Sequence, residues 1–142
     1  MQTMDPKLRN VLAVIAGWLG GSVINMALVN AGDALYPTGV DPNDMEAFKE
    51  IMPTLGTEHF VFPLLAHALG TLVGAAIAYL LAASQPFKMA MAVGILFLIL
   101  GIIINSMLPG PAWFAPVDII LAYLPMAWMG GKIATRIKPA KS

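Results

Sequence analysis

The stretch SQPFKMAMAVGILFLILGIIINSML, residues 84–108, decides the fold of this chain. After Lys88 it contains 20 consecutive residues without a charged side chain, and about 20 apolar residues are what an α-helix needs to cross ~30 Å of hydrocarbon. Three further apolar stretches cover about residues 8–29, 60–83 and 116–137. The sequence therefore predicts an all-α integral membrane protein, with four transmembrane helices (spans 1 to 4) in one domain that covers residues 1–142.

The composition of the chain also favours lipid over water as its main solvent. Hydrophobic residues make up 58% of the chain and charged residues 11%, whereas charged residues are roughly a quarter of a soluble domain. The absence of cysteine excludes disulfides, thiolate catalysis and zinc-thiolate sites. A net charge of zero, without a concentrated basic face, argues against nucleic acid as a partner.

The charged residues are separated by segment, and this separation predicts a topology. Seven of the eight Lys and Arg residues lie at the N-terminus, in the linker before span 3 or at the C-terminal end: Lys7, Arg9, Lys88, Lys132, Arg136, Lys138 and Lys141. Seven of the eight acids lie in or beside the other two connections, with Lys49 as the only cation among them: Asp33, Asp41, Asp44, Glu46, Glu50, Glu58 and Asp118. Because Lys and Arg are enriched on the cytoplasmic side, we expect a multi-pass protein of the bacterial inner membrane with both termini cytoplasmic. The cytoplasmic cations are expected to meet membrane lipids through their anionic headgroups.

The connections between the spans predict how the helices pair. The linker of residues 84–88 is so short that spans 2 and 3 must be antiparallel neighbours, and the four spans form two hairpins. The outer loop, residues 30–59, is long and contains Asp41-Pro42-Asn43-Asp44, a typical helix start. Met45, Phe48 and Met52 follow at helical spacing, which predicts a short amphipathic helix over residues 43–52. We expect this helix to cover the outer end of the bundle, and a role as a gating lid is the second interpretation.

Small residues and a sequence repeat mark the helix faces that pack. Residues 66, 70, 74 and 78 are Gly or Ala at four-residue spacing, as are residues 13, 17 and 21, and such stripes let backbones approach closely in lipid. Residues 65–78 also align with residues 121–134 with five identities, which sets His67 opposite Tyr123. This alignment predicts an internal repeat of the two hairpins about an axis along the membrane normal.

Polar side chains inside the spans are the candidate ligand-binding residues. Those in the outer halves of the helices are Ser22, Asn25, His67, Thr71, Asn105, Asp118 and Tyr123. Because an unpaired polar group is costly in hydrocarbon, we expect Asn25, His67 and Asn105 to take part in a hydrogen-bonded cluster. Asp118 follows Pro116 and is interpreted as a carboxylate in the first turn of span 4 that needs no further role.

This outer-leaflet cluster has a structural and a functional interpretation. Structurally, Asn and His side chains join helices and contribute about 0.5–2 kcal/mol each. Functionally, an ionisable residue within the membrane is a site hypothesis, and His67 is the side chain there that could titrate near neutrality. The structural interpretation ranks first because a single His does not form a relay. No metal site and no cofactor is predicted, since His59 and His67 are eight residues apart and cannot bind one ion.

Three functions follow, in order of preference. The first is a non-enzymatic membrane protein that acts through helix packing, as a homo-oligomer or as an accessory subunit of a membrane complex. The second is a channel or carrier for a small polar solute or ion that uses the outer-leaflet Asn and His cluster. The third is a membrane enzyme, for which Asp118 with His67 is the only acid and base pair, and no catalytic residue is predicted.

Overall fold

The computed structural model describes residues 4–140, and over that range the chain is all-helical with no strand. The α-helices are α1 (Pro6–Leu35), α2 (Met45–Ile51), α3 (Glu58–Leu81), α4 (Pro86–Met107), α5 (Phe114–Leu121) and α6 (Leu124–Ile137). A 3-10 turn, Met52–Thr54, follows α2 directly. Four segments of residues 4–140 are long and apolar enough to cross a membrane, namely α1, α3, α4 and the combined α5–α6. The all-helical prediction is therefore confirmed, and the four segments indicate a multi-pass membrane protein.

Local sequence explains where the helices begin. Asp5 caps α1, because its Oδ1 accepts hydrogen bonds from the backbone N–H groups of Lys7 and Leu8. In the outer loop the cap of α2 is Asp44, whose Oδ1 accepts from the backbone N–H of Ala47 at 3.1 Å. Asp41 instead closes a turn, since its Oδ1 accepts from the backbone N–H of Asn43. The helix α2 consequently begins at Met45, later than the expected residue 43.

The fourth segment is interrupted where the sequence predicted one continuous helix. Helix α5 ends at Leu121 and α6 begins at Leu124, with Tyr123 in a non-helical conformation (φ −118°, ψ −80°). Pro125 explains the interruption, because proline has no N–H to donate and its ring clashes with the carbonyl four residues earlier, that of Leu121. The break turns the Tyr123 side chain into the bundle, where it is 1% exposed.

Helix α3 lies at the centre of the bundle and packs against α1, α4 and α6. Its contact with α1 is the longest, and glycines on both helices make it close. A Cβ at Gly74 would lie 2.6 Å from the carbonyl oxygen of Gly17, and one at Gly70 would lie 2.8 Å from that of Gly21. The small-residue stripes are therefore packing faces, as the sequence predicted.

The two ends of the bundle differ in charge. At the basic end, Arg9 and Lys138 donate hydrogen bonds to carbonyl oxygens in the last turn of α3, which satisfies groups that a helix C-terminus leaves free. The opposite, acidic end is formed by the C-terminal part of α1, by α2, by the start of α3 and by the start of α5. The candidate site lies toward this acidic end.

Candidate functional site

A carboxyl group that is fully buried forms the centre of the candidate site. Asp118 on α5 is 0% exposed. Its Oδ1 lies 2.7 Å from Nδ1 of His67, and its Oδ2 accepts hydrogen bonds from Nδ2 of Asn105 at 2.9 Å and from the hydroxyl of Tyr123 at 2.8 Å. We call these four residues the Asp118 network. They come from α3, α4, α5 and the break between α5 and α6.

Close packing between helices holds the Asp118 network in place. The imidazole of His67 stacks on the ring of Tyr123, with centroids 5.8 Å apart and an angle of 29° between the planes. The Tyr123 ring in turn lies against Gly101 on α4, where a Cβ would come within 2.7 Å of the Tyr123 Cε2. Asn105, one turn further along α4, also donates to the carbonyl oxygen of Gly101 at 2.9 Å. Glycine at position 101 thus leaves the space that Tyr123 occupies.

The hydrogen bonds of the network determine which ring nitrogen of His67 is left to bind another partner. An ionised carboxylate has only acceptors, so in that state all three neighbours of Asp118 donate to it. Nδ1 of His67 is then occupied, and Nε2 is the ring nitrogen left for another partner. The His67 side chain is 20% exposed, unlike that of Asp118. A ligand can therefore reach the imidazole while the carboxylate behind it stays buried.

Two cavities meet at His67. The acidic-end cavity has a volume of about 260 Å³ and lies beneath α2, with His67 and Asn105 at its deep end. The groove cavity has a volume of about 250 Å³ and lies between α1 and α4, with α3 behind it. His67 and Ile104 line both cavities. These two side chains consequently form the partition between the cavities.

The structure brings together only some of the residues singled out in the sequence. His67, Asn105, Asp118 and Tyr123 form the network, whereas Ser22, Asn25 and Thr71 stay outside it. Ser22 lines the groove cavity, but its hydroxyl donates to the carbonyl oxygen of Trp18 in its own helix. Asn25 lines the same cavity, and its buried Oδ1 has no hydrogen-bond partner. The Thr71 hydroxyl is buried without a partner as well.

The position of Asp118 differs from its sequence interpretation. Helix α5 begins at Phe114, two residues before the expected start at Pro116, so Asp118 lies beyond the first turn of the helix. Its side chain is hydrogen-bonded to three other side chains and does not cap the N-terminus of α5. A residue interpreted as incidental is therefore the one that the candidate site is built around.

The acidic-end cavity also contains residues that are not among the candidates drawn from the sequence. Asp33, Glu58 and His59 line this cavity together with the predicted His67 and Asn105. The available signal was the spacing of Met45, Phe48 and Met52, because these three residues of α2 and its 3-10 turn face the cavity. Within residues 4–140, no group of three or more His, Asp or Glu side chains is placed to hold a metal ion.

Comparison of this chain with protein-family models, with curated proteins and with solved structures finds no match. A functional assignment therefore rests on the Asp118 network and on the two cavities that meet at it.

Proposed function

We propose that this chain is a membrane carrier or channel for a small polar solute or ion, with the Asp118 network as its binding centre. One observation carries the proposal: His67 holds a fully buried carboxylate with one ring nitrogen while its side chain lines two cavities. Polar residues that only join helices need no cavity beside them. This geometry favours the second of the functions drawn from the sequence over the first, a packing role as a homo-oligomer or accessory subunit.

A membrane topology is part of the proposal. The four apolar segments cross the bilayer as two hairpins, with the basic end and both termini in the cytoplasm. The positions of Arg9 and Lys138 beside the C-terminus of α3 support this orientation. The acidic-end cavity then opens to the outside beneath α2, and the groove cavity faces the acyl chains between α1 and α4.

Charge balance suggests which ligands the site prefers. A buried carboxylate requires a positive charge or donors close to it. The Asp118 network contains no Lys or Arg. The carboxylate of Asp118 would therefore attract a cation that lies beside His67.

The interrupted fourth segment is a second reason to place the site here. Discontinuous helices in membrane carriers supply binding groups where the helix is broken. In this chain the break at residues 122–123 lies within one turn of Asp118, and Tyr123 itself belongs to the network. A change of conformation at the break would move the hydroxyl of Tyr123 relative to Asp118.

Flux measurements in proteoliposomes test the proposal. With a pH-sensitive dye trapped inside and a potassium diffusion potential applied, the wild-type protein should move protons faster than empty vesicles do. Asp118→Asn keeps the shape of the side chain but removes its charge, and it should abolish this flux. Ser106→Ala is the matched control, since Ser106 is next to Asn105 in α4 but is exposed, and its hydroxyl donates only to the carbonyl oxygen of Ile103. Equal flux for wild-type protein and Asp118→Asn would refute the proposal.

A further inference from the structure

The acidic-end cavity has a charge pattern of its own. Its lining includes the carboxylates of Asp33 and Glu58, and no Lys or Arg among the described residues lines it. The surrounding outer loop adds Asp41, Asp44, Glu46 and Glu50, against the single cation Lys49. Acids grouped at the mouth of a low-dielectric cleft create a negative potential that attracts cations and repels anions. The mouth of this cavity is therefore selective for positive charge.

The walls of the cavity are aromatic and apolar. Tyr36 stands edge-on to His59, with ring centroids 6.2 Å apart, and its ring is 6.4 Å from that of Phe62. All three rings line the cavity. The face of an aromatic ring carries negative electrostatic potential and attracts a cation within about 6 Å. The apolar face of α2 covers the other side, so the cavity suits a cation that also has an apolar body.

We propose that the acidic-end cavity binds a small organic monocation, a substituted ammonium with an aromatic or compact apolar body. This inference rests on the proposed function and names its substrate class. Anions are disfavoured by Asp33, Glu58 and the buried Asp118. Divalent metal ions need a cluster of oxygen ligands, and no group of three such side chains is present within residues 4–140. The cavity has a volume of about 260 Å³.

Competition binding in lipid nanodiscs tests the charge requirement. The probe is radiolabelled benzyltrimethylammonium, and nanodiscs without protein correct for partition into the zwitterionic lipid. Neopentylbenzene has the same shape with a carbon in place of the charged nitrogen, and phenylacetate has the same ring with a negative charge. We expect unlabelled benzyltrimethylammonium to compete at least tenfold better than either compound. Equal competition by neopentylbenzene would overturn the inference.

Variants test the residues that the inference names. Asp33→Asn and Glu58→Gln should each weaken benzyltrimethylammonium binding about threefold, because both carboxylates are partly screened by water. Glu46→Gln is the matched control: Glu46 belongs to the same loop but does not line the cavity, so its loss should weaken binding less than either of these two substitutions. Tyr36→Leu should weaken binding about twofold to fivefold and Tyr36→Phe should not, since only the first removes a ring. Wild-type affinity in the double variant Asp33→Asn, Glu58→Gln would overturn the inference.

The two proposals fail in different ways. If benzyltrimethylammonium binds selectively but Asp118→Asn leaves proton flux unchanged, the ligand class stands and the carrier proposal fails. If Asp118→Asn abolishes flux but neopentylbenzene competes as well as the cation, the carrier proposal stands and the ligand class fails. Far-UV circular dichroism of each variant confirms that the protein used in either assay is folded.

Discussion

Replacing Gly101 by alanine would place a methyl group against the buried ring of Tyr123. The new Cβ would overlap the hydroxyl and Cζ of Tyr123 and lie 2.7 Å from its Cε2. Tyr123 is 1% exposed and stacked on His67, so the ring cannot move without disturbing this stack. The ring must shift away from α4, and its hydrogen bond to Asp118 lengthens or breaks.

Three effects set the size of the loss. Forcing a methyl group into a well-packed core costs about 1–3 kcal/mol. Losing a hydrogen bond to a charged group costs about 1.5–3 kcal/mol. Alanine has a higher helix propensity than glycine, which offsets about 1 kcal/mol of this loss of stability. We therefore expect Gly101→Ala to lower the free energy of unfolding by about 1.5–5 kcal/mol.

Reversible unfolding in mixed micelles of dodecylmaltoside and sodium dodecyl sulfate, followed by circular dichroism, measures this change. Gly20→Ala is the control, because its Cβ would meet only the far end of the flexible Ile77 side chain, with Cδ1 2.6 Å away. In the Tyr123→Phe background, Gly101→Ala should cost at least ~1 kcal/mol less, since the hydroxyl that it overlaps is gone. Additivity of the two substitutions within ~0.5 kcal/mol, or equal stability of Gly101→Ala and Gly20→Ala, would refute the reasoning.

The remaining predictions concern topology, packing, an unpaired amide and the helix break. A cysteine introduced at Gly39 should react with an impermeant thiol reagent in intact cells, and one at Gln85 should not; the reverse pattern would invert the proposed orientation. Gly74→Leu should abolish the folded state in detergent, because its Cβ lies 2.6 Å from the carbonyl oxygen of Gly17, and an unchanged unfolding curve would contradict the α1–α3 packing. Asn25→Leu should be neutral or raise stability by about 1 kcal/mol, since its buried Oδ1 has no partner to lose. Pro125→Ala should increase amide hydrogen-exchange protection across the break, and unchanged protection would show that another residue causes it.

The helices were predictable because lipid imposes a simple rule on sequence. In lipid, every backbone N–H and C=O group must be hydrogen-bonded within its own apolar segment of about 20 residues. Residues 84–108 therefore predict a helix, and α4 covers Pro86–Met107. The interruption of the fourth segment had a visible cause in Pro125, but prolines also occur within unbroken membrane helices, as Pro63 does in α3. Sequence alone does not tell which proline breaks its helix, since the outcome depends on what the neighbouring helices offer the freed carbonyls.

The site was predicted less completely than the fold. His67 and Asn105 lie at similar depths on different helices, and that depth can be counted from the sequence at ~1.5 Å per residue. Whether two side chains meet also depends on how each helix is rotated, which is set by packing. Asn25 has the right depth but faces the groove cavity, while Asp118 faces inward to His67. The internal repeat stays a prediction, although His67 does stack on Tyr123, its counterpart in the alignment.

The groove cavity between α1 and α4 has one wall, α1, that takes no part in the Asp118 network. All four residues of the Asp118 network come from α3, α4, α5 and the break, and α1 contributes none of them. Helix α1 rests chiefly on α3, where Gly17 and Gly21 bring its backbone against that of Gly74 and Gly70. A small slide or tilt of α1 would widen or close the groove cavity without disturbing a hydrogen bond to Asp118. Under the proposed function, we therefore expect substitutions on α1 to change how fast a ligand reaches His67, and substitutions around Asp118 to change how tightly it is bound.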